Sequence, residues 1–284
     1  MKTIVSVREM QKWSDRERSA QKTIGLVPTM GFLHDGHRSL IDLARKACDV
    51  VVVSVFVNPA QFAPAEDLSR YPRDLARDGD ICRSAGVDCM FVPDAGSMYP
   101  DEYETYVIQE RASTILEGKF RPTHFRGVAT IVARLFLISK PHKAFFGQKD
   151  AQQCVVVKRM VRDLNFDVEI VVAPIVRDAD GLAKSSRNVY LSEREREDAL
   201  ILNSSLREAE ALVSGGTRSA EEIVSHISNL IKARKTAAID YVSIVNAETL
   251  EALETIAPGI PVLIALAVRF GSTRLIDNTI VQLD

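Results

Sequence analysis

The sequence is poor in cysteine. Four cysteines, Cys48, Cys82, Cys89 and Cys154, occur among 284 residues, and no two of them form a Cys-x-x-Cys pair. A disulfide framework or a cysteine-based zinc site would need more cysteines at closer spacing, so the composition argues against both. A reducing compartment, the cytoplasm, fits this pattern.

Long apolar runs and an excess of one charge are also missing. The longest apolar runs, such as VVVSVFV and PVLIALAV, are far too short to cross a bilayer, and MKTIVSVREMQKW becomes polar early. We therefore expect no export signal and no membrane anchor. The formal net charge of −2 provides no general positive field, so we expect neither nucleic-acid nor membrane partners. A hydrophobic fraction of 46% with 26% charged residues is typical of a soluble globular protein.

The first part of the chain alternates between two kinds of segment. Up to about residue 176, short β-branched runs such as TIGLV, VVVSVFV and VDCMFV alternate with amphipathic stretches such as SLIDLARKA. This alternation predicts an α/β domain, a Rossmann-like doubly wound parallel sheet, over residues 1–176. Leu40, Ile41 and Ala44 have helical spacing, which predicts a helix that begins directly after His37.

The second part has a different pattern. SEREREDALILNSSLREAEALVSGG predicts one helix and TRSAEEIVSHISNLIKARK a second, followed by strands at IDYVSIVN, PVLIALAVRF and TRLIDNTIV. Helices followed by strands, without βαβ alternation, predict a smaller α+β C-terminal domain over residues 177–284.

One stretch, GFLHDGHRSL, has Gly31 and Gly36 at the spacing of a P-loop, but His37 and Arg38 where that motif has Lys and Ser/Thr. It lies between a predicted strand and a predicted helix, at the sheet edge where ligands bind. A helix amino end favours anions, so we expect a phosphate there, with His34 and His37 donating N–H bonds to it. The alternatives are a degenerate P-loop, an incomplete two-histidine metal site, and loop histidines without chemistry.

Two further loops are rich in groups that bind phosphate oxygens or polar ligands. Their candidate residues are Gly147, Gln148, Lys149, Asp150 and Gln153 in FFGQKDAQQ, and Lys184, Ser185, Ser186 and Arg187 in KSSRN. Each loop, taken alone, is equally typical of a solvated polar turn. Gln61 in VFVNPAQF ends a strand, and Asp78 either holds Mg²⁺ or is a helix-surface carboxylate.

Taken in order, seven stretches resemble the motifs of the pantothenate synthetases, also called pantoate–β-alanine ligases, of the nucleotidyltransferase superfamily. They are PTMGFLHDGH, FVNPAQF, YPR, THFRGVATIV, FFGQKDAQQ, DGLAKSSRNVYL and GSTRLIDN, and they span about residues 27–278. Lys184 departs from the pattern, because an apolar residue is frequent at that position. It makes the loop more similar to the KMSKS loop of class I aminoacyl-tRNA synthetases, which share the fold.

The resemblance implies a ligase that uses ATP and Mg²⁺ to join (R)-pantoate and β-alanine. The pantoate carboxylate attacks the α-phosphorus of ATP, which gives pantoyl adenylate and pyrophosphate. The amine of β-alanine then attacks the acyl carbon and releases pantothenate and AMP. Members of this family form homodimers, so a homodimer is implied here.

The same resemblance implies the residue roles. The catalytic set is His34, His37, Lys149, Ser185, Ser186 and Arg187; ATP binding adds Met30, Gly31, Gly147, Gln148, Asp150, Val176 and Lys184. Gln61 and Gln153 would bind the pantoate and β-alanine substrates, and Asp78 would hold Mg²⁺. Residues 1–176 would bind nucleotide and pantoate, and residues 177–284 would act as a lid. The segment between Gln61 and Asp78 would be a second lid, which excludes water.

Two other functions stay open at the level of sequence. A nucleotidyltransferase acting on a phosphate acceptor would require Arg or Lys in place of Gln61 and Gln153. A nucleotide sensor without catalysis would keep the fold, but the intact set of histidines and cations argues against it.

Overall fold

The computed structural model describes residues 1–64 and 66–283, and its contacts divide the chain into two compact units. The first unit contains Met1–Gly147 and Val156–Pro174, and the second contains Gln148–Val155 and the chain from Ile175 onward. The sequence places the boundary two residues later, between 176 and 177. It also assigns residues 148–155 to the first domain, whereas the structure groups them with the second unit.

A six-stranded parallel sheet forms the centre of the first unit. Its strands are β1 (Lys2–Ile4), β2 (Ile24–Thr29), β3 (Val50–Val55), β4 (Cys89–Phe91), β5 (Lys143–Gly147) and β6 (Glu169–Ala173). They lie in the order β1-β4-β3-β2-β5-β6. The central strand β3 is buried along almost its whole length, as expected for a parallel sheet covered on both faces. The predicted doubly wound α/β fold is confirmed.

Helices connect these strands. They are α1 (Val7–Ser19), α2 (Asp35–Ala47), α3 (Leu75–Ser84), α4 (Ala95–Met98), α5 (Glu117–Phe120), α6 (His124–Ser139) and α7 (Ala151–Asp163). The prediction that a helix begins after His37 is wrong by three residues, because His34 caps α2 and Asp35 is its first residue. The sequence pattern also missed α1. The buried face of this helix is small and consists of Met10, Trp13, Ser14 and Glu17.

The strand order reverses between β2 and β5, since β3 and β4 lie on one side of β2 and β5 and β6 on the other. Within the described chain, β2 pairs with β5 only at Gly25–Lys143 and Leu26–Ala144. Pro28, further along β2, has no N–H to continue a ladder. The carboxyl ends of β2 and β5 therefore border the switch-point crevice, which is the preferred ligand position in open α/β sheets.

The second unit is a small α+β structure, as the sequence predicts. It contains α8 (Glu193–Ala199), α9 (Ile201–Ser214), α10 (Ala220–Lys232), β7 (Ala237–Asn246), β8 (Val262–Phe270) and β9 (Thr273–Val281), with the strands antiparallel in the order β7-β8-β9. The single helix predicted from SEREREDALILNSSLREAEALVSGG is divided into α8 and α9 at Leu200. Ile223, Ile227 and Ile231 of α10 are fully buried in the hydrophobic core of the second unit. Across residues 1–64 and 66–283, every helix is too short or too polar to span a bilayer.

Candidate active site

The turn after β2 depends on a glycine. Gly31 has φ +85°, and a Cβ built there would lie 2.9 Å from Val55 Cγ1 and 3.0 Å from Asp78 Oδ2. The Gly31 N–H donates to the buried Thr29 hydroxyl at 3.1 Å. Only glycine satisfies both the left-handed backbone and the close approach of Asp78.

Asp78, from the first turn of α3, anchors this turn. Its carboxylate accepts the N–H groups of Phe32 at 2.8 Å and Leu33 at 2.7 Å, and the residue is 1% exposed. Burial raises the pKa of Asp78, and the two N–H bonds oppose that shift. The residue is therefore a support of the loop that precedes α2.

The contacts of Asp78 do not fit its predicted role as a Mg²⁺ ligand. Both carboxylate oxygens are used by backbone amides of the loop. In the described part of the chain, no three His, Cys, Asp or Glu side chains come together as a potential metal site. The contacts thus favour a role of Asp78 as loop anchor, and its role as a Mg²⁺ ligand stays a prediction.

His34 and His37 form a capping pair at the start of α2. Nδ1 of His34 accepts the N–H of Gly36 at 3.2 Å, and Nδ1 of His37 accepts the N–H of His34 at 3.3 Å. The two ring centroids are 4.1 Å apart. The side chains thus satisfy backbone N–H groups that the first turn of a helix leaves without partners.

These bonds define which ring nitrogen carries the hydrogen. A nitrogen that accepts an N–H bond must present its lone pair, so each neutral ring has its hydrogen on Nε2. A protonated ring carries hydrogens on both nitrogens and cannot accept at Nδ1. The capping pair therefore favours two neutral imidazoles that offer Nε2–H donors at the positive end of the α2 dipole.

A turn after β3 positions Gln61. The 3-10 turn Pro59–Gln61 follows Asn58, and Gln61 is 8% exposed. Its Oε1 accepts from Asn58 Nδ2 at 3.0 Å, and its Nε2 donates to Met30 Sδ at 3.2 Å. The ends of two neighbouring strands, β2 and β3, thus bring Met30 and Gln61 into contact.

Helix α6 holds the backbone of this turn. A Cβ on Gly127 would lie 2.3 Å from the Ala60 carbonyl oxygen and 2.5 Å from Gln61 N, so only glycine allows this approach. The Gln61 carbonyl oxygen lies 3.1 Å from His124 Nδ1 and 3.4 Å from Arg121 Nη2. Backbone and side chain of Gln61 are therefore both constrained.

The predicted lid between Gln61 and Asp78 includes Ala65, which lies outside the described residues. In the part that is described, Phe62 and Tyr71 are buried, with ring centroids 6.1 Å apart. The Arg121 guanidinium binds the Glu66 carboxylate in a two-point contact of 2.9 and 2.6 Å. The Glu66 contact ties the segment to Arg121, which follows α5, and the action of the segment as a lid stays a prediction.

In the second unit, β9 holds the turn that carries Lys149. Asn278 Nδ2 donates to the carbonyl oxygens of Gln148 and Lys149, each at 3.0 Å, and Asn278 Oδ1 accepts from Gln148 Nε2 at 3.3 Å. These bonds explain why Gln148–Val155 groups with the second unit. Lys149 Nζ lies 3.8 Å from the Asp150 carboxylate. The supporting role of Asn278, 129 positions away from Lys149 along the chain, has no local signal in the sequence.

An ion network organises the KSSRN loop. Lys184 Nζ lies 2.5 Å from Asp178, and Arg196 joins the carboxylates of Asp178 and Asp180 at 3.0 and 2.7 Å. Burial alone would raise the pKa of Asp178, but the bonds from Lys184 and Arg196 outweigh it and hold the pKa below its usual range. The Lys184 N–H also donates to the Val176 carbonyl at 2.9 Å. Lys184 is thereby fixed beside Val176.

The serines of this loop open a short 3-10 turn, Ser186–Tyr190. The Ser185 hydroxyl accepts the N–H of Arg187 at 3.3 Å, and Asn188 Nδ2 donates to the Ala183 carbonyl at 3.1 Å. The hydroxyl of Ser185 therefore uses one of its two lone pairs in the turn and can still donate its hydrogen.

The predicted site residues fall into two sets, one in each unit. In the first unit, contacts link Met30 with Gln61, Gly31 with Asp78 and His34 with His37, while Gly147 ends β5. The second unit contains the others, namely Gln148, Lys149, Asp150, Gln153, Val176, Lys184, Ser185, Ser186 and Arg187. The roles of these residues in catalysis and binding stay predictions. The sequence motifs did not reveal the supporting roles of Asp78, Asn58, Asp178 and Asn278, although Asn58 and Asn278 lie within quoted motifs.

Comparisons of sequence agree with these motifs. The family model described as pantoate-beta-alanine ligase matches residues 2–280. The pantothenate synthetase of Acetivibrio thermocellus is 54% identical over 282 residues, which cover 99% of this chain and 100% of that protein. The pantothenate synthetase of Thermotoga petrophila is 54% identical over 284 residues, with 99% of each chain covered.

Comparisons of structure give the same result. The crystal structure of pantothenate synthetase from Thermus thermophilus has a TM-score of 0.92 at 45% identity and covers 98% of this chain and 99% of its own. The pantoate-beta-alanine ligase of Francisella tularensis, described as complexed with beta-gamma ATP and beta-alanine, has a TM-score of 0.80 at 34% identity, covering 98% and 97%. The resemblance seen in the motifs is confirmed: the chain belongs to the pantoate–β-alanine ligase family.

Proposed function

We propose that this chain condenses (R)-pantoate with β-alanine at the expense of ATP, through a pantoyl adenylate, and releases pantothenate, AMP and pyrophosphate. The observation that carries the proposal is the histidine pair that caps α2 beside the switch-point crevice, in which Nδ1 of His34 and Nδ1 of His37 each accept a backbone N–H. Family membership supports the choice of reaction, and the Francisella relative described with beta-gamma ATP and beta-alanine supports the substrates.

In the first step the pantoate carboxylate attacks the α-phosphorus, and the bond to the bridging oxygen of pyrophosphate breaks. Charge gathers on the equatorial oxygens and on the leaving group, where fixed N–H donors stabilise it. A neutral imidazole is a very weak acid, and pyrophosphate leaves as an anion that needs no proton. We therefore assign His34 and His37 to hydrogen-bond stabilisation of the transition state.

The second unit supplies the cationic donors in this proposal. Lys149, Ser185, Ser186 and Arg187 would neutralise the phosphates, in keeping with the family motifs, and Asp150 would accept from the ribose hydroxyls. Met30, Gly31, Gly147, Gln148 and Val176 would complete the ATP site. For Lys184, the ion pair with Asp178 supports a role in holding the KSSRN loop beside Val176. The lid role of residues 177–284 remains part of the proposal.

Two amides would orient the acid substrates. Gln61 and Gln153 offer hydrogen bonds to hydroxyl and carboxylate oxygens without the full charge of an arginine, which would hold the attacking oxygen and lower its nucleophilicity. In the second step the β-alanine amine attacks the acyl carbon, the bond to the AMP oxygen breaks, and the amine proton is released. A phosphate acceptor, by contrast, would need a cation at these two positions.

Mg²⁺ belongs to this proposal as part of a substrate, the complex that it forms with ATP. Asp78 does not fit as a resident ligand, because its oxygens bind backbone amides. Mg²⁺ usually keeps several waters and binds through substrate phosphates, so a dedicated protein cage is not required. When present, the ion adds neutralisation of the phosphate charge.

The products of the complete reaction test the proposal. With ATP, pantoate and β-alanine present, we expect pantothenate and AMP in equal amounts by mass spectrometry, and no pantothenate when any one substrate is omitted. Formation of ADP with inorganic phosphate, or release of AMP at the same rate without pantoate, would contradict it.

We further propose that the protein is a cytoplasmic homodimer. Cys82 and Cys89 are buried thiols rather than parts of a disulfide, which supports a reducing compartment. Family membership supports the dimer. Light scattering at micromolar concentration would give twice the chain mass if the proposal holds, and the chain mass if it fails.

A further inference from the structure

The side-chain amide of Asn58 has a complete set of partners. Its Oδ1 accepts from the Tyr99 hydroxyl at 2.7 Å and from the Ala60 N–H at 3.3 Å. Its Nδ2 donates to Gln61 Oε1 at 3.0 Å and to the Gly127 carbonyl at 3.1 Å. The residue is 1% exposed. A flipped amide would set donor against donor at Ala60 and oxygen against oxygen at Gly127, so one orientation is fixed.

This orientation determines what Gln61 can offer a ligand. Its Oε1 receives the Asn58 donor, which leaves Nε2 as the group that can bind a ligand oxygen. The present partner of Nε2 is the thioether of Met30 at 3.2 Å, and a thioether is a weak acceptor. A hydroxyl or carboxylate oxygen of a ligand is a stronger acceptor, so exchanging the Met30 thioether for such an oxygen would lower the free energy.

We propose that Tyr99 is a positioning residue for the acid substrate: its hydroxyl, acting through Asn58, holds Gln61 as an N–H donor to a pantoate oxygen. This inference rests on the proposed function, because pantoate is the oxygen-rich ligand that Gln61 would bind. It assigns the substrate group at this point as an acceptor, and it extends the site to a residue 41 positions away from Asn58.

The surroundings of Tyr99 suit this task. Its N–H donates to the Ala95 carbonyl at 2.7 Å, which closes α4. The Tyr103 ring meets it edge-on, with centroids 5.0 Å apart, and Arg134 lies 5.8 Å from its centroid. Burial, followed by the nearby Tyr103, raises the pKa of Tyr99, so the hydroxyl retains its hydrogen. A protonated phenol whose ring is packed in place can donate its hydrogen to Asn58 Oδ1.

The first test compares Tyr99→Phe with Tyr103→Phe in the complete reaction. Loss of the Tyr99 hydroxyl frees the Asn58 amide, so we expect KM for pantoate to rise about 3- to 10-fold, the value of one buried hydrogen bond. The kcat and the KM for ATP should stay within about twofold. Tyr103→Phe, which removes a hydroxyl from the adjacent ring, should leave all three constants within about the same range, and both variants should melt within a few degrees of the wild type.

The second test repeats Tyr99→Phe in a Gln61→Ala background. If Tyr99 acts through Gln61, the increase in KM for pantoate caused by Tyr99→Phe disappears there, because the pair is not additive. An equal increase in both backgrounds, a loss confined to kcat, or a matching effect of Tyr103→Phe would overturn the inference.

The same assays separate this inference from the proposed function. A wild-type enzyme that makes pantothenate, together with an unchanged KM for pantoate in Tyr99→Phe, would overturn only the role of Tyr99. A wild-type protein without pantoate-dependent activity would overturn the function, and the role of Tyr99 with it.

Discussion

The two nitrogens of each histidine in the β2–α2 turn have separate tasks. Nδ1 accepts a backbone N–H and completes the helix start, and Nε2 carries the hydrogen that the proposed chemistry uses. Because one ring serves both the fold and the reaction, alanine substitution alone cannot distinguish the two effects. Substitutions that preserve one nitrogen at a time can.

His37→Asn and His37→Gln form such a pair. An asparagine oxygen can take the place of Nδ1 and keep the cap, while a glutamine nitrogen can reach the place of Nε2. We expect His37→Asn to slow adenylate formation by about 100-fold or more, as for loss of one oxyanion-type donor. We expect His37→Gln to keep more of the rate but to lose about 1 kcal/mol of stability, the value of a cap. Single-turnover rates and urea unfolding measure the two effects, and a near-normal rate in His37→Asn would remove His37 from the catalytic set.

Asp78→Asn tests the anchor. An amide can accept only one of the N–H bonds from Phe32 and Leu33 and turns a donor toward the other, so we expect a loss of about 2–3 kcal/mol in urea unfolding. The control is Asp80→Asn on the same helix, whose side chain is 75% exposed. Calorimetry with Mg²⁺ in the absence of nucleotide should detect no binding. Binding that Asp78→Asn abolishes would restore the metal role.

At the scale of single residues, the sequence indicates the residues proposed for the reaction more readily than the residues that hold them in place. The histidines, Lys149 and the KSSRN residues stand in recognisable motifs. Asp78 reaches Phe32 and Leu33 from 46 and 45 positions away, and Tyr99 reaches Asn58 across 41. Contacts at such separations depend on how strands and helices pack. The local sequence pattern contains no information on that packing.

Among the elements, α6 and β5 each contribute a glycine with a distinct physical reason. Gly127 faces the Ala60–Gln61 backbone at distances that exclude a Cβ. Gly147 ends β5, and apart from its two chain neighbours no atom of the described residues lies within 4 Å of a Cβ built there. The first glycine serves packing, and the second leaves open space next to the switch-point crevice.

Gly127→Ala and Gly147→Ala should therefore differ. We expect Gly127→Ala to lower the free energy of unfolding by about 1–3 kcal/mol, the usual result of overpacking, and to raise KM for pantoate as the Gln61 turn shifts. Gly147→Ala should leave stability within about 0.5 kcal/mol and raise KM for ATP. Urea unfolding and steady-state kinetics measure both, and equal stability loss in the two variants would contradict the packing argument.

His142, at the start of β5, makes the stability of the first unit depend on pH. Its Nδ1 accepts the Ile24 N–H at 2.9 Å, and burial, followed by Arg18, lowers its pKa below 6.5, while Asp167 and Asp49 oppose this. The unfolded chain therefore binds the proton more readily, so the free energy of unfolding should fall as pH drops below about 6.5. His142→Asn keeps an acceptor that does not titrate, and its loss of stability between about pH 7 and 5 should be smaller. An identical slope in both proteins would show that His142 is not the titrating group.

Element types follow from the sequence more reliably than element ends. The sequence pattern predicts β2, β3 and β4 and the helical stretches of the second unit, but it does not predict the three-residue strand β1. The start of α2 was misplaced because a histidine, not one of the usual capping residues, caps it. The break between α8 and α9 was missed because the apolar pattern continues through Leu200.

For the whole molecule, the chain order of motifs identifies the family, and the contacts define the units. A cut at one position cannot describe the second unit, because Gln148–Val155 joins it through Asn278 while the flanking residues belong to the first. The match to the family model over residues 2–280 shows that both units belong to one enzyme architecture.

Pantoate-dependent exchange of labelled pyrophosphate into ATP, measured without β-alanine, tests the adenylation step on which the proposed function depends. This one assay tests whether pantoate is the acid substrate and whether its attack at the α-phosphorus is reversible. We expect exchange with pantoate, none without it, and a loss of about 100-fold or more in His37→Asn. No exchange with pantoate, or exchange that proceeds equally in its absence, would contradict the ligase function.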